Sequence, residues 1–135
     1  MKLTVSTTVA APVEQVWQAY TTPEAIVCWN AASDDWHTPH ASVDLRVGGA
    51  FCSRMEAKDG SMGFDFAGTY TEVLPCQRLV YAFGDRMAEV TFAETAEGVR
   101  VAVEFDAETT YSPEEQQAGW QAILDNFARY VGQQS

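Results

Sequence analysis

The stretch from Ser42 to Ala107 constrains the fold more than any other feature of the sequence. Apolar and polar residues alternate there in short runs, which is the pattern of β-strands with one buried face. Each run ends in a turn signal, and about 8 to 12 residues separate most neighbouring signals. The signals are Gly48-Gly49, Lys58-Asp59-Gly60, Pro75, Gly84-Asp85 and Ala96-Glu97-Gly98. Because no helical pattern interrupts the runs, we expect neighbouring strands to pair in antiparallel fashion.

A long amphipathic helix is predicted after these strands. Ser112 can cap its first turn, Pro113 suits the first helical position, and Glu115 completes a capping box. The apolar residues that follow recur at helical spacing, and they are Trp120, Leu124, Phe127 and Val131. We expect this helix to end near Gly132 after about 18 residues, a length of roughly 27 Å.

The N-terminal part predicts one strand and two short helices. Residues 2–10 alternate with a period of two, and residues 13–20 and 23–29 carry apolar residues at helical spacing. Thr22 is the candidate N-cap of the second helix. Residues 30–41 are polar and irregular and predict a loop in which Trp36 stands out, and the next strand is expected over 42–47.

Together these elements predict an α+β fold in a single domain, residues 1–135. Six or seven antiparallel strands leave one face of a sheet to be covered, and only the C-terminal helix is long enough to cover it. We therefore expect a strongly curved antiparallel sheet that grips the long C-terminal helix. The two short helices after the first strand would close one end.

The glycines between residues 44 and 70 predict bends in a sheet rather than a phosphate-binding loop. A phosphate loop leads into the N-terminus of a helix, whereas the residues after Gly48-Gly49 continue as a strand. We therefore interpret Gly48-Gly49 as a tight turn or bulge. Gly68 lies inside a strand and predicts a bend, or a place where another group packs close.

The charge of the chain excludes several classes of partner. The 8 basic and 19 acidic residues give a net charge of −11, so nucleic acid and anionic membranes would be repelled. The acidic surface favours solubility, with a basic protein partner as the alternative. No apolar run reaches the roughly 18 residues that span a bilayer. The N-terminus alternates like a strand and unlike a signal peptide, so we expect a cytoplasmic protein without membrane insertion.

Metal and cofactor sites are not expected. His37 and His40 are three residues apart, but Pro39 between them disfavours the helical turn that would bring them to one metal. The three cysteines lack the close spacing of zinc or redox motifs, and they are Cys28, Cys52 and Cys76. We interpret both histidines as ordinary loop residues.

Four segments of the sequence carry a family resemblance in the right order. They are "VAAPVEQVWQAYTTPEAIVCW", "DLRVGGAF", "GTYTEVLPCQRLVYAF" and "GWQAILDNFARYV". With these segments the chain resembles the activator of heat-shock-protein-90 ATPase homologue-like family. That family belongs to the START-like superfamily, which is also called birch-pollen-allergen-like or SRPBCC.

The resemblance implies a helix-grip fold with an apolar cavity between the sheet and the long helix. Superfamily members use such cavities for lipids, sterols, polyketides and other hydrophobic molecules. Arg46, Gly48 and Gly49 match the family's characteristic turn, and Gly119 and Trp120 match the start of its last helix. The family often has a second Trp after the position of Trp29, where this chain has Asn30.

The candidate ligand-binding residues are the apolar and aromatic residues expected to face inward, together with one histidine near the expected mouth. They are Trp36, His37, Phe51, Met55, Phe64, Phe66, Tyr81, Phe83, Val90, Phe105, Trp120 and Leu124. The alternative is that the apolar members fill a solid core. Further polar groups that can orient a ligand are His40, Arg54, Asp65, Tyr70 and Tyr111, although alternation favours the outer surface for Arg54 and Asp65.

Three functions remain open at this point. The first is binding of a hydrophobic small molecule that is lipid-, polyketide- or flavonoid-like. The second is a cyclase- or hydrolase-like enzyme, for which His37 is a candidate general base. The third is a cofactor of a heat-shock-90 chaperone, which rests on the family resemblance and the acidic charge.

Overall fold

The computed structural model describes residues 1–134. Seven strands form one sheet in the order β1-β7-β6-β5-β4-β3-β2, and every neighbouring pair is antiparallel. The elements are β1 (Lys2–Val9), α1 (Val13–Thr21), α2 (Pro23–Trp29), β2 (Trp36–Val43), β3 (Ala50–Ala57), β4 (Gly63–Leu74), β5 (Arg78–Phe83), β6 (Arg86–Thr95), β7 (Gly98–Asp106) and α3 (Pro113–Gln134). The predicted α+β helix-grip arrangement is confirmed.

Strand β2 departs from the sequence expectation. Residues 36–43 form a strand, so the prediction of a loop over 30–41 is wrong for its second half. The strand expected over 42–47 ends at Val43, and the following residues form a turn. The physical reason is that β2 is an edge strand which pairs only with β3 and has a register shift between His37 and His40. Such an edge tolerates Pro39, which would be excluded from a central strand.

Glycines permit two close approaches of the backbone. Gly48 has a φ of +83° in the turn before β3, and a Cβ on Gly49 would lie 2.1 Å from the carbonyl oxygen of Asp44. The tight turn predicted for this pair is confirmed. A Cβ on Gly68 would lie 2.2 Å from the carbonyl oxygen of Ala82 and 2.9 Å from the ring of Phe51. Gly68 is therefore the predicted place where another group packs close.

The capping interaction predicted from the sequence is present in α3 but not in α2. The backbone N–H of Glu115 donates to Oγ of Ser112 at 3.1 Å, and this hydroxyl donates to the Glu115 carboxylate, so the cap of α3 is confirmed. Helix α3 continues to Gln134, slightly beyond its predicted end. Thr22 is at the N-cap of α2, but its hydroxyl donates to the carbonyl of Gln18 and does not cap the helix.

Helix α3 is fastened to one edge of the sheet. The side chain of Gln117 donates to the carbonyl of Thr4 at 2.9 Å, and that of Gln121 donates to the carbonyl of Ser6 at 2.9 Å. Because β1 is an edge strand, these bonds satisfy backbone groups that have no strand beside them. The helix packs chiefly along β1 and also contacts α1 and α2. Strands β3, β4 and β5 curve away on the far side.

We predict that Gly68→Ala destabilises the protein by about 2 kcal/mol or more, because the added methyl group meets a backbone carbonyl and an aromatic ring that cannot both move. Gly119→Ala is the matched control. A Cβ on Gly119 has nothing within 4 Å, and alanine in a helix is favoured over glycine by up to about 1 kcal/mol. Chemical denaturation of both variants measures the difference, and equal effects would contradict this account of Gly68.

Candidate functional site

A cavity of about 370 Å³ lies between the concave face of the sheet and α3. Its wall is mainly aromatic and aliphatic, with two sets of polar groups. Seven of the sequence candidates line it, and they are Phe51, Met55, Phe64, Phe66, Tyr81, Trp120 and Leu124. Further lining residues outside the candidate set include Tyr20, Ile26, Trp29, Leu79, Val103 and Ile123.

The cavity reaches the surface between the start of β4 and the loop before α3. Phe64 on β4 and Tyr111 in that loop both line the cavity, and their side chains are 49% and 60% exposed. These two exposed lining residues therefore mark the opening of the cavity.

Three of the other candidates lie in the packed core beside the cavity. Val90 and Phe105 are completely buried, and Phe83 is 6% exposed. The ring of Phe105 stacks on Trp120 with 4.0 Å between centroids and an interplanar angle of 7°. The alternation of polar and apolar residues correctly predicts that all three side chains face inward. The position of α3 decides which inward side chains are covered by other side chains and which line the cavity.

Trp36 and His37 line a second, more polar groove between α2, β2 and the last turns of α3. Nε2 of His37 lies 3.9 Å from the carboxylate of Glu56, and His40 lies farther along β2. Neither histidine lines the cavity. Across the described residues, no three His, Cys, Asp or Glu side chains are grouped as a metal would require. No described helix combines the length and apolar character needed to cross a membrane.

Arg54 and Asp65 form an ion-pair network with Glu56 away from the cavity. Nε of Arg54 donates to Glu56 at 2.8 Å, and Nη1 lies 3.5 Å from Asp65. The hydrogen bond from Arg54 lowers the pKa of the Glu56 carboxyl. All three side chains are more than a third exposed, so this network contributes little to stability.

One set of polar groups in the wall is built around Glu108. Its Oε2 lies 3.7 Å from Nη2 of Arg86, whose guanidinium sits 4.5 Å from the ring centroid of Phe83. Gln116 holds the backbone here, because its side chain accepts from N–H of Glu108 and donates to the carbonyls of Glu108 and Tyr111. Oε1 of Glu108 is buried and has no hydrogen-bond partner within residues 1–134. Glu108 itself lines the cavity, so a small rotation of its side chain would bring this oxygen within reach of a bound molecule.

The other set consists of three tyrosines. Tyr70 and Tyr81 lie directly opposite each other in the β4–β5 ladder, and Tyr20 comes from the end of α1. All three line the cavity. Burial raises the pKa of Tyr70 to about 12, and burial also raises the pKa values of Tyr20 and Tyr81. The three phenols are therefore neutral near pH 7 and can act as hydrogen-bond donors.

Tyr20 and Glu108 line the cavity but are not among the residues predicted from the sequence. Tyr20 belongs to the apolar stripe of α1, and that pattern does not show that its hydroxyl ends in a cavity. Glu108 lies between β7 and α3 in a segment without periodicity. One signal in the sequence was available for Glu108. It lies close to the predicted cap of α3, where the chain passes from the sheet to the helix.

Comparisons with known proteins agree with this architecture. The family model described as "Activator of Hsp90 ATPase homolog 1-like protein" matches residues 10–132. The chain matches no curated protein.

Solved structures give close matches over nearly the whole chain. The solution structure of an AHSA1-like protein from Aeromonas hydrophila is 50% identical with a TM-score of 0.93, covering 99% of this chain and 94% of that one. A solution structure from Cytophaga hutchinsonii is 42% identical with a TM-score of 0.84, covering 98% and 93%. A crystal structure from Nitrosomonas europaea is 24% identical with a TM-score of 0.83, covering 99% and 96%, and supports the fold alone.

We predict that the buried tyrosines make the protein lose stability in alkali. Tyr70 keeps its proton in the folded protein up to about pH 12, whereas the unfolded chain releases it near pH 10. Its stabilising contribution is complete below pH 10 and falls as the pH rises towards 12, because the unfolded state then binds fewer protons. Denaturation at several pH values should show a smaller alkaline loss in Tyr70→Phe than in the wild type. Tyr111→Phe, on a side chain that is 60% exposed, should behave like the wild type. Identical pH profiles for Tyr70→Phe and wild type would contradict the prediction.

Proposed function

The chain belongs to the family of Activator of Hsp90 ATPase homolog 1-like proteins, and from this premise we propose that it binds a hydrophobic small molecule in the cavity between the sheet and α3. The ligand class is lipid-, polyketide- or flavonoid-like. The observation that carries the proposal is the open cavity of about 370 Å³ with aromatic walls. This volume falls within the range of about 300–1,000 Å³ that is usual for small-molecule sites.

The energetics of the wall favour such a ligand. Transfer of about 200 Å² of apolar ligand surface out of water contributes roughly 5 kcal/mol. Part of this gain offsets the motional freedom that the ligand loses on binding. The wall is already held in position, because Phe66 packs on Phe83 at 5.3 Å and Trp120 stacks on Phe105. Ligand binding therefore requires little ordering of the protein.

An enzymatic role in the same cavity is the second candidate, and Glu108 is the observation that favours it. Glu108 lines the cavity and its Oε1 has no hydrogen-bond partner within residues 1–134, so after a rotation of the side chain the carboxylate could accept a proton from a bound molecule, which is the task of a general base. His37, the base considered from the sequence, does not line the cavity. Mass spectrometry of a ligand recovered from cells, before and after incubation with wild type or Glu108→Gln, distinguishes turnover from binding.

A chaperone-cofactor role is supported by the family's name and by the net charge of −11. The test is the ATPase rate of a heat-shock-90 chaperone in the presence of the purified protein. Stimulation by both the wild type and a variant with a blocked cavity would assign that role to the outer surface. If the wild-type protein does not stimulate the ATPase, the cavity remains the functional site.

We predict that Ile123→Trp weakens binding of fluorene, a three-ring apolar probe, by at least about tenfold. Ile123 lines the cavity and is only partly buried, so a larger side chain there occupies ligand space without entering the packed core. Backbone amide shifts in an NMR titration measure the affinity. In the wild type they should cluster around the cavity wall.

The matched control for this experiment is Ala118→Trp. Ala118 lies on the same helix, is exposed and does not line the cavity, so the added indole should leave fluorene affinity unchanged. Thermal unfolding of both variants checks that the fold is retained. Unchanged affinity in a folded Ile123→Trp variant, or no binding of fluorene by the wild type, would count against the proposed function.

A further inference from the structure

Tyr70 and Tyr81 line the cavity from two neighbouring strands of the sheet. Their Cα atoms are partners in the β4–β5 ladder, and both residues are less than 7% exposed. Phe51 packs against both rings, with centroids 5.3 Å from Tyr70 and 5.0 Å from Tyr81. The rings are therefore fixed by packing, and their hydroxyls stay at one place in the wall.

Tyr20 is held from the helical side of the same cavity. Its ring packs against Trp29 at 5.2 Å, Phe92 at 5.7 Å and Phe127 at 5.2 Å. The three phenols are close enough for the charge of one to disfavour ionisation of another. They form one group of hydroxyls, which we name the tyrosine cluster: Tyr20, Tyr70 and Tyr81.

No hydrogen bond contributes to the pKa shifts of Tyr20, Tyr70 and Tyr81, which come from burial and from nearby charged groups. None of them belongs to the fully buried atoms without a partner, so each retains a surface that a molecule in the cavity can touch. When a ligand displaces water from the cavity, a donor that is left unsatisfied costs about 1–3 kcal/mol. The tyrosine cluster therefore favours a ligand that carries a hydrogen-bond acceptor.

We propose that the cavity selects molecules that carry a carbonyl oxygen on an apolar ring framework, and that the tyrosine cluster donates hydrogen bonds to this oxygen. The inference rests on the proposed function and defines the chemistry of its ligand. A carbonyl oxygen has two lone pairs, so Tyr70 and Tyr81 can both donate to it from neighbouring strands. The surrounding aromatic wall then receives the rings.

A neutral acceptor fits the tyrosine cluster better than a carboxylate does. Burying an anion requires a paired cation, and among the described lining residues only Arg86 is a cation. The charge of Arg86 reaches Tyr81, but its guanidinium already lies 3.7 Å from the Glu108 carboxylate and donates to the carbonyl of Asp106. Glu108 would also repel an anionic ligand. Neutral phenols can bind a carbonyl without any such penalty.

The test compares fluorenone with fluorene, two probes of nearly the same shape that differ in a carbonyl group against a methylene group. Fluorenone is the less hydrophobic of the two, so the apolar wall alone cannot prefer it. NMR titration of the wild type should give at least about tenfold tighter binding of fluorenone. The infrared carbonyl stretch of bound fluorenone should lie below its position in cyclohexane, because hydrogen bonding weakens the C=O bond.

Two variants identify the donors. Tyr70→Phe and Tyr81→Phe each remove one hydroxyl and keep the ring, so each should reduce the preference for fluorenone severalfold while fluorene affinity stays the same. The carbonyl stretch should move back towards its position in cyclohexane. Tyr130→Phe is the matched control, because Tyr130 lies on α3 outside the cavity and its variant should bind like the wild type.

The outcomes separate this inference from the function on which it rests. Equal binding of fluorene and fluorenone by the wild type overturns the carbonyl preference and leaves the cavity a general hydrophobic site. A preference that survives both tyrosine substitutions overturns the role of the cluster. If neither probe binds, the proposed function itself fails. The comparison of the two probes in wild-type protein requires no variant, so it stands even if a substitution impairs folding.

Discussion

The attachment of α3 to the edge strand β1 is the constraint on which the rest of the structure depends. Gln117 and Gln121 bond to the backbone of Thr4 and Ser6, and Trp120 stacks on Phe105 of the neighbouring strand β7. With the helix held at this side, the sheet must curl to bring β3 to β5 around it. The distance that remains across the curl is spanned by aromatic side chains that do not fill it, and the cavity is the result.

The polar groups of the cavity wall form two sets with different chemistry. Glu108 and Arg86 lie where β7 leads into α3, near the surface, and can exchange hydrogen bonds with a polar substituent of a ligand. The neutral phenols of Tyr20, Tyr70 and Tyr81 belong to the same wall. Most of the other lining residues are aromatic or aliphatic. A bound molecule would therefore be oriented by its polar groups and held by its rings.

The fold could be predicted from the sequence to a large extent, because its signals are local. The cap at Ser112, the turn at Gly48-Gly49 and the close approach at Gly68 each follow from nearby residues. The site could be predicted only in part, because it depends on distances between elements. Phe66 and Val90 share the same inward pattern, yet only Phe66 lines the cavity, since the curl of the sheet and the position of α3 decide which inward side chains are covered.

The central claim is that the space between the sheet and α3 is not filled by side chains. Xenon enters apolar cavities of this kind, and methyl NMR spectra under increasing xenon pressure report where it binds. The account predicts saturable shifts at Ile26, Val103 and Leu124, which line the cavity, and none at Val9 and Val131, which are buried elsewhere. Equal shifts at both groups, or no saturable shift at the first, would contradict it.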